Sequence, residues 1–96
     1  MAYKLRTTKQ FEKDVKRCFK RGLPLDKLRK VMELLEKDGF LPQDYRPHLL
    51  HGNRKGQWEC HIEPDWLLIW EQYEDELLML MINTGSHSDL FGKTKR

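Results

Sequence analysis

Apolar residues in the first half of the chain recur at helical spacing. In the segment "FEKDVKRCF" (residues 11–19) they occupy positions i, i+4, i+7 and i+8, which lie along one face of a helix. A second segment, residues 23–39, shows the same period, and Gly22 and Gly39 are suited to ending the two helices. Because only the short "RGLP" connection separates the segments, the sequence predicts an antiparallel helical hairpin.

The period changes to two in the second half of the chain. "QWECHIE" (57–63) alternates apolar and polar residues, and segments 66–73 and 76–83 are apolar on both faces, with the polar turn "EDE" between them. The alternating segment 3–7 predicts one further strand before the helices. The order β-α-α-β-β-β predicts an α+β fold, in which the two-helix N-terminal hairpin covers one face of an antiparallel sheet.

The last two predicted strands offer apolar side chains to both faces of the sheet, whereas the helices can cover only one. The side chains that point to the second face are either Leu77, Met79 and Met81 or Leu78, Leu80 and Ile82. We expect the C-terminal Leu90 and Phe91, a partner chain, or both to cover this face.

The chain has 96 residues, of which 39% are hydrophobic and 34% are charged. It is therefore expected to form a single domain over residues 1–96 with one modest core, and residues 93–96 are predicted to be a mobile tail. No apolar run approaches the roughly 20 residues that span a bilayer, and the N-terminus lacks the apolar segment of a secretory signal. These features predict a cytoplasmic protein without membrane association.

Positive charge is concentrated in the helical half of the chain. Residues 1–30 contain eleven Lys and Arg against three Asp and Glu, whereas residues 31–96 contain seven against twelve. Such a basic segment favours a polyanionic partner, most plausibly nucleic acid. The alternative is that these side chains only solvate the outer faces of two helices.

The segment "HIEPDW" (61–66) predicts a site at one edge of the sheet. His61 lies on the opposite face of its strand from the apolar residues, and Pro64 should end that strand because it cannot donate to a ladder. The resulting bend would bring Asp65 close to His61. His48, at the start of an earlier strand, and His87, after the last strand, could converge on the same edge.

Each of these residues also has a structural interpretation. A single strand histidine is usually a surface residue, Asp65 could only form a turn, and Trp66 could belong to the core. Three histidines and a carboxylate could also bind zinc, but the sequence contains no H-x-x-x-H or C-x-x-C pair. We therefore expect neither a metal nor a cofactor.

Three motifs add a specific resemblance. "PHLLHG" (47–52), "HIEPDWLLIW" (61–70) and "TGSHSDLFG" (84–92) occur in order and at the expected separation. They are similar to the signature of YafQ-type toxins, a branch of the RelE/ParE superfamily of bacterial toxin–antitoxin pairs. The helical segment "TTKQFEKDVKR" also fits the opening of this family. The resemblance covers nearly the whole chain.

The resemblance implies a RelE-like fold and a toxin that inhibits translation. Such toxins are endoribonucleases, or mRNA interferases, that enter the ribosomal decoding site and cut mRNA there. A co-expressed antitoxin, expected to be a ribbon-helix-helix protein, neutralises the toxin, and operator DNA is contacted only through the toxin–antitoxin complex. The family's functional positions correspond here to His48, His61, Asp65, Trp66, His87 and Phe91.

RNA cleavage by its own 2′-OH requires a base, an acid and positive charge on the phosphate, and histidine suits the first two roles. We expect His87 to be the general acid, Asp65 or His48 to be the base or to orient it, and His61 to stabilise the phosphate, with permutations open. His51, next to the site, leaves the role of His48 open. The expected RNA contacts are Arg46, Arg54, Lys55, Trp66 and Phe91, and the expected ribosome contacts are Lys13, Lys16, Arg17 and Lys20.

Two other functions are compatible with this scaffold. A ParE-like toxin would inhibit DNA gyrase by binding and would need no RNA chemistry. An inactive scaffold would bind only an antitoxin-like partner. Neither alternative accounts for three histidines and an aspartate placed to meet at one sheet edge.

Overall fold

The structure is a computed structural model that describes residues 2–92, so the predicted tail at 93–96 lies outside the described residues. The strands are β1 (Lys4–Thr7), β2 (His48–Leu49), β3 (Trp58–Glu63), β4 (Trp66–Tyr73) and β5 (Leu78–Gly85). The helices are α1 (Lys9–Lys20), α2 (Leu25–Asp38) and the short α3 (His87–Phe91). Two 3₁₀ turns, Gln43–Tyr45 and Gly52–Arg54, flank β2. Among these described helices, none is both long and apolar enough to cross a membrane.

The five strands form one sheet in the order β1-β5-β4-β3-β2. The predicted α+β architecture with an N-terminal helical hairpin is confirmed, but the sheet is mixed rather than wholly antiparallel. The exception is β1, which runs parallel to β5 with Lys4 beside Leu78 and Thr7 beside Met81. A four-residue strand contains no local signal for its direction, which is decided by the open edge of β5 against which it pairs.

Local signals define the helix ends. The Thr8 hydroxyl accepts a hydrogen bond from the backbone N–H of Phe11 at 2.9 Å and caps α1. Helix α2 ends at Gly39, which has φ of 78°. A Cβ at this position would lie 2.5 Å from Cε1 of Tyr3, so the close approach of the N-terminal segment also requires glycine.

The core lies between the helical hairpin and one face of the sheet. Its helical members are Phe11, Cys18, Leu28, Val31 and Leu35, and its main strand members are Cys60, Leu68, Trp70, Met79 and Met81. Phe19, which the spacing assigned to the same helical face, is 68% exposed. At 100° per residue it lies roughly 80° from Phe11 around α1, at the edge of the apolar stripe.

The second face of the sheet is partly apolar. Because Met79 and Met81 point into the core, Leu78 and Leu80 point to the second face, where both are half-buried. Leu67 and Ile69 on β4 are fully buried although they alternate with the core residues of that strand. The structure therefore selects the second of the two predicted sets, and this face includes buried apolar side chains.

A buried carboxylate anchors α1 to the end of β5. Asp14 is 1% exposed, and its Oδ2 accepts hydrogen bonds from the backbone N–H of Thr84 at 3.1 Å and from Asn83 Nδ2 at 3.0 Å. Its Oδ1 accepts from Gln10 Nε2 at 2.9 Å and pairs with Arg17 Nη2 at 3.1 Å. This network places the C-terminal end of β5, which leads directly into α3.

We predict that Asp14→Ala destabilises the protein by about 2 to 4 kcal/mol, because the buried Thr84 N–H and the Arg17 guanidinium lose their shared acceptor. Equilibrium denaturation in urea would measure this loss. Asp38→Ala, at the exposed end of α2, is the control and should change the free energy of unfolding by no more than about 0.5 kcal/mol. Equal effects of the two substitutions would contradict the anchoring role.

Candidate active site

Three imidazole rings form a row along one edge of the sheet. His48 comes from β2, His61 from β3 and His87 from the first residue of α3. The ring centroids of His48 and His61 are 6.4 Å apart, and those of His61 and His87 are 5.9 Å apart. The structure therefore brings together the three histidines that the sequence predicted to converge. We call these three side chains the imidazole row.

His87 is held by Asp65. The Nδ1 atom of His87 lies 2.6 Å from Asp65 Oδ1, and the backbone N–H of His87 donates to the same oxygen at 2.9 Å. Hydrogen bonds from the backbone N–H and then from the side chain of His87 lower the pKa of Asp65. Asp65 is therefore ionised near neutral pH and accepts the Nδ1 proton, which leaves Nε2 of His87 free to face a substrate.

His61 is placed by the turn that the sequence predicted after it. Strand β3 ends at Glu63 and β4 begins at Trp66, so Pro64 and Asp65 form the tight connection. The Nδ1 atom of His61 lies 3.3 Å from the carbonyl oxygen of Pro64. Since a carbonyl can only accept, Nδ1 carries the proton of this hydrogen bond.

His48 contacts a carboxylate that sequence reasoning missed as a site residue. Its Nε2 lies 3.1 Å from Oε1 of Glu59, and its Nδ1 lies 2.9 Å from the carbonyl oxygen of Arg46. Glu59 is only 5% exposed, and its Oε2 is buried without a hydrogen-bond partner in the part of the chain that the structure describes. Strand alternation placed Glu59 beside His61, but a strand glutamate is usually solvated, so the signal was weak.

Arg54 and Phe91 border the row at the α3 end. The Phe91 ring is 49% exposed and its centroid lies 6.5 Å from that of His87. The Arg54 guanidinium carbon lies 5.6 Å from the Phe91 centroid, which is within cation–π range. Arg54 Nη1 also donates to Asn83 Oδ1 at 3.2 Å and to Gln57 Oε1 at 2.9 Å. The site thus combines a fixed cation and an exposed ring beside His87.

Comparison with known proteins identifies the family of the chain. The family described as "Bacterial toxin of type II toxin-antitoxin system, YafQ" matches residues 3–92. The chain belongs to the YafQ toxin family. The resemblance inferred from the three motifs is therefore confirmed.

Two solved structures and one curated relative show how similar the chain is to other YafQ proteins. The mRNA interferase toxin YafQ of Escherichia coli K12 is 43% identical over 84 residues, which are 86% of this chain and 89% of that protein. The crystal structure of YafQ from E. coli BL21(DE3) has a TM-score of 0.87 and 37% identity, covering 94% of this chain and 99% of that one. YafQ in the E. coli DinJ–YafQ toxin–antitoxin complex has a TM-score of 0.86 and 38% identity, covering 96% and 100%.

Trp66 is part of the buried core rather than of the exposed site. It is 1% exposed, and its indole N–H donates to Thr84 Oγ1 at 2.9 Å. This burial favours the alternative, that Trp66 belongs to the core, over the expected contact with RNA. The hydrogen bond from its indole to Thr84 joins the start of β4, next to Asp65, to the end of β5, which leads to His87.

The basic side chains predicted to contact RNA or the ribosome differ in whether they are exposed or paired within the protein. Arg46 and Lys55 are exposed, and so are the three lysines of α1, Lys13, Lys16 and Lys20. Arg17 is instead engaged by Asp14, by the carbonyl oxygen of Thr84 at 3.3 Å and by Asp89 Oδ2 at 3.6 Å. Arg17 thus stabilises the fold, and we remove it from the expected nucleic-acid footprint. Periodicity could not distinguish it from its exposed neighbours.

Helix α3, which presents His87, is held by Asp89. Ser86 and Asp89 form a capping box, with Ser86 N–H donating to Asp89 Oδ2 at 2.9 Å and Asp89 N–H donating to Ser86 Oγ at 3.1 Å. The Arg21 guanidinium donates to both Asp89 oxygens, at 2.6 and 3.0 Å. Arg21 and then Ser86 hold the pKa of Asp89 well below its usual range. The "SHSD" spacing could have revealed this cap.

We predict that Asp89→Asn lowers stability by about 1 to 2 kcal/mol near neutral pH, because the charge-assisted bonds to Arg21 weaken. Since the folded-state pKa of Asp89 is depressed, its contribution is complete above about pH 5 and is lost as the pH falls toward 2. The difference between wild type and variant should therefore shrink on acidification.

Urea denaturation of both proteins at constant ionic strength across this pH range would measure the difference. Asp75→Asn, in the exposed turn before β5, is the control for changing an aspartate that makes no such bonds. If the difference in the free energy of unfolding between wild type and Asp89→Asn does not depend on pH, Arg21 does not stabilise ionised Asp89.

Proposed function

We propose that this YafQ-family toxin is an mRNA interferase, a metal-independent endoribonuclease that cleaves mRNA on the ribosome and so inhibits translation. The observation that supports it most is the imidazole row, with spacings of 6.4 and 5.9 Å and with Asp65 bound to its last member. The mRNA interferase activity named for the E. coli relative gives independent support.

The row offers the groups that transesterification of RNA requires. The free Nε2 of His87, when protonated, can protonate the 5′-oxygen leaving group, and ionised Asp65 orients the ring. Asp65 accepts two hydrogen bonds at one oxygen and is therefore an orienting group rather than the base. His48 or His61 then takes the 2′-OH proton, while the other stabilises the phosphate.

The shape of the site favours a substrate that is already ordered. His48 and His87 are exposed, and the flanking Arg54, Phe91 and Arg46 leave the row open to solvent. An open row of this kind gives few contacts to hold a flexible RNA in line for attack. The decoding site of the ribosome would supply mRNA in a fixed conformation, and the exposed lysines of α1 could dock on rRNA.

An antitoxin partner follows from the family and from the second sheet face. The E. coli relative forms a complex with DinJ. Here Leu78 and Leu80 remain half-buried on the face away from the helices, where a partner segment could cover them. We propose a ribbon-helix-helix antitoxin that inhibits the toxin and links it to operator DNA. Because the proposed substrate is mRNA on the ribosome, we expect the toxin to act in the bacterial cytoplasm.

We predict that His87→Ala reduces mRNA cleavage by about 10² to 10⁴-fold, because the leaving oxygen loses its acid. Mapping of mRNA 5′ ends after adding purified protein to programmed ribosomes would measure cleavage, with ribosome-free RNA alongside. His51→Ala is the matched control, since His51 is exposed and makes no side-chain hydrogen bond within residues 2–92. Retained antitoxin binding would show that the His87 variant is folded.

Cuts that require ribosomes, and that His51→Ala retains but His87→Ala loses, would support the proposal. Full cleavage by His87→Ala would contradict its role as the acid. Growth arrest without any cleavage by the wild-type protein would instead favour a gyrase-inhibiting toxin and make the imidazole row structural.

We predict that Lys16→Glu weakens ribosome binding and lowers its dependence on salt, because fewer counterions are released when the toxin binds rRNA. Lys37→Glu, at the exposed end of α2, makes the same change in charge and is the control. Sedimentation with ribosomes over a salt titration would compare the two slopes. Identical behaviour of the two variants would argue against an α1 footprint.

A further inference from the structure

Both ring nitrogens of His48 face hydrogen-bond acceptors. Nδ1 lies 2.9 Å from the carbonyl oxygen of Arg46, and Nε2 lies 3.1 Å from Oε1 of Glu59. A carbonyl oxygen can only accept, so Nδ1 carries a proton. An ionised carboxylate also only accepts, so the Nε2 bond forms only if Nε2 is protonated as well. With Glu59 ionised, this geometry is satisfied by an imidazolium, whereas a neutral ring would require the Glu59 carboxyl to carry the shared proton.

Glu59 has a strong physical reason to keep that cation beside it. The residue is 5% exposed, and a buried carboxylate without a counter-ion is costly. On β4 the residue paired with Glu59 is Ile69, and on β5 the residue paired with Ile69 is Asn83, so neither pairing supplies a cation. Arg54 reaches Asn83 and Gln57 rather than Glu59. Among the side chains that the structure describes, His48 is therefore the one cationic partner shown for Glu59.

His61 differs from His48 in one essential respect. Its Nδ1 donates to the carbonyl oxygen of Pro64, whereas no acceptor within residues 2–92 engages its Nε2. A neutral His61 that is protonated at Nδ1 therefore has a free lone pair on Nε2. The neighbouring imidazoles, 6.4 Å away at His48 and 5.9 Å away at His87, are the titratable groups next to it in the row.

We propose that Glu59 is a positioning residue that keeps His48 as an imidazolium, and that His61 is consequently the general base. This assignment rests on the proposed RNA cleavage. The 2′-oxygen attacks phosphorus while His61 Nε2 takes its proton, and the His48 cation stabilises the charge that develops on the phosphate. The bond from phosphorus to the 5′-oxygen breaks as His87 Nε2 donates its proton to that oxygen. The products are a 2′,3′-cyclic phosphate and a 5′-hydroxyl.

Glu59→Gln removes the negative charge of the carboxylate but preserves the shape of the side chain. The amide has the shape of the carboxylate, and its NH₂ can donate to a neutral Nε2, so the hydrogen bond persists with reversed direction. The substitution therefore removes the reason for His48 to be charged but leaves its ring in place. Glu71→Gln is the matched control, since Glu71 lies on the same sheet face but contacts Gln57 and Tyr73 instead of a histidine.

The direct test is ¹⁵N NMR of the histidine side chains in the isolated protein. At about pH 7.5, where an unpaired histidine is mostly neutral, we expect His48 to have both ring nitrogens protonated in wild type and Glu71→Gln. In Glu59→Gln we expect a neutral His48 that is protonated only at Nδ1. A neutral His48 in the wild-type protein would overturn the proposal.

The kinetic test uses programmed ribosomes. At about pH 7.5, Glu59→Gln should cleave mRNA about 10² times more slowly than wild type, since a transition-state cation is lost. The deficit should narrow at about pH 5.5, where bulk solvent protonates His48 again. Unchanged cleavage at the higher pH, or a deficit that does not vary with pH, would contradict the role assigned to Glu59.

A second variant covers the case in which Glu59→Gln does not fold. His48→Gln cannot be protonated, so it should cleave mRNA about 10² times more slowly than wild type at about pH 7.5, and this deficit should persist on acidification. The NMR experiment needs no ribosome and no RNA. Absence of cleavage by the wild-type protein would therefore overturn the proposed function, while the spectrum would still decide whether Glu59 holds His48 as a cation.

Discussion

The buried carboxylate of Asp14 imposes the constraint on which the functional end of the molecule depends. A charge that is 1% exposed must be compensated where it lies, and its partners come from α1 itself and from Asn83 and Thr84. Satisfying this charge therefore holds the helix and the end of β5 together. Strand β5 leads through Ser86 into α3, whose first residue is His87. The position of this imidazole thus follows from bonds made by a helix that contributes nothing to the imidazole row.

The three histidines of the imidazole row have different electrostatic environments. His87 meets the exposed, ionised carboxylate of Asp65, His61 meets a backbone carbonyl, and His48 meets both a carbonyl and the buried carboxylate of Glu59. The partner decides which nitrogen keeps a proton and which is open to a substrate. Three chemically identical side chains therefore differ in how the protein engages their ring nitrogens.

Strand alternation predicted the face of His61, and Pro64 predicted the bend that brings Asp65 toward it, because both signals are local. The burial of Trp66 and the engagement of Arg17 were not predictable in the same way. Arg17 pairs with Asp14 on its own helix, but its contact with Asp89 depends on the path of a segment far away in the sequence. For the same reason, the sequence did not reveal the contact between Glu59 and His48.

The sequence by itself determined the α+β architecture, the helical hairpin, the family and the convergence of His48, His61 and His87 at one edge of the sheet. These features depend on periodicity, turn chemistry and motif spacing, which act over a few residues each. The tertiary structure alone decided that β1 runs parallel to β5, that Arg17 contacts Asp89 and the carbonyl oxygen of Thr84, and that His48 lies against a buried carboxylate. Each of these outcomes depends on segments far apart in the chain, and their contacts are formed only when hydrophobic burial brings the helices and strands together.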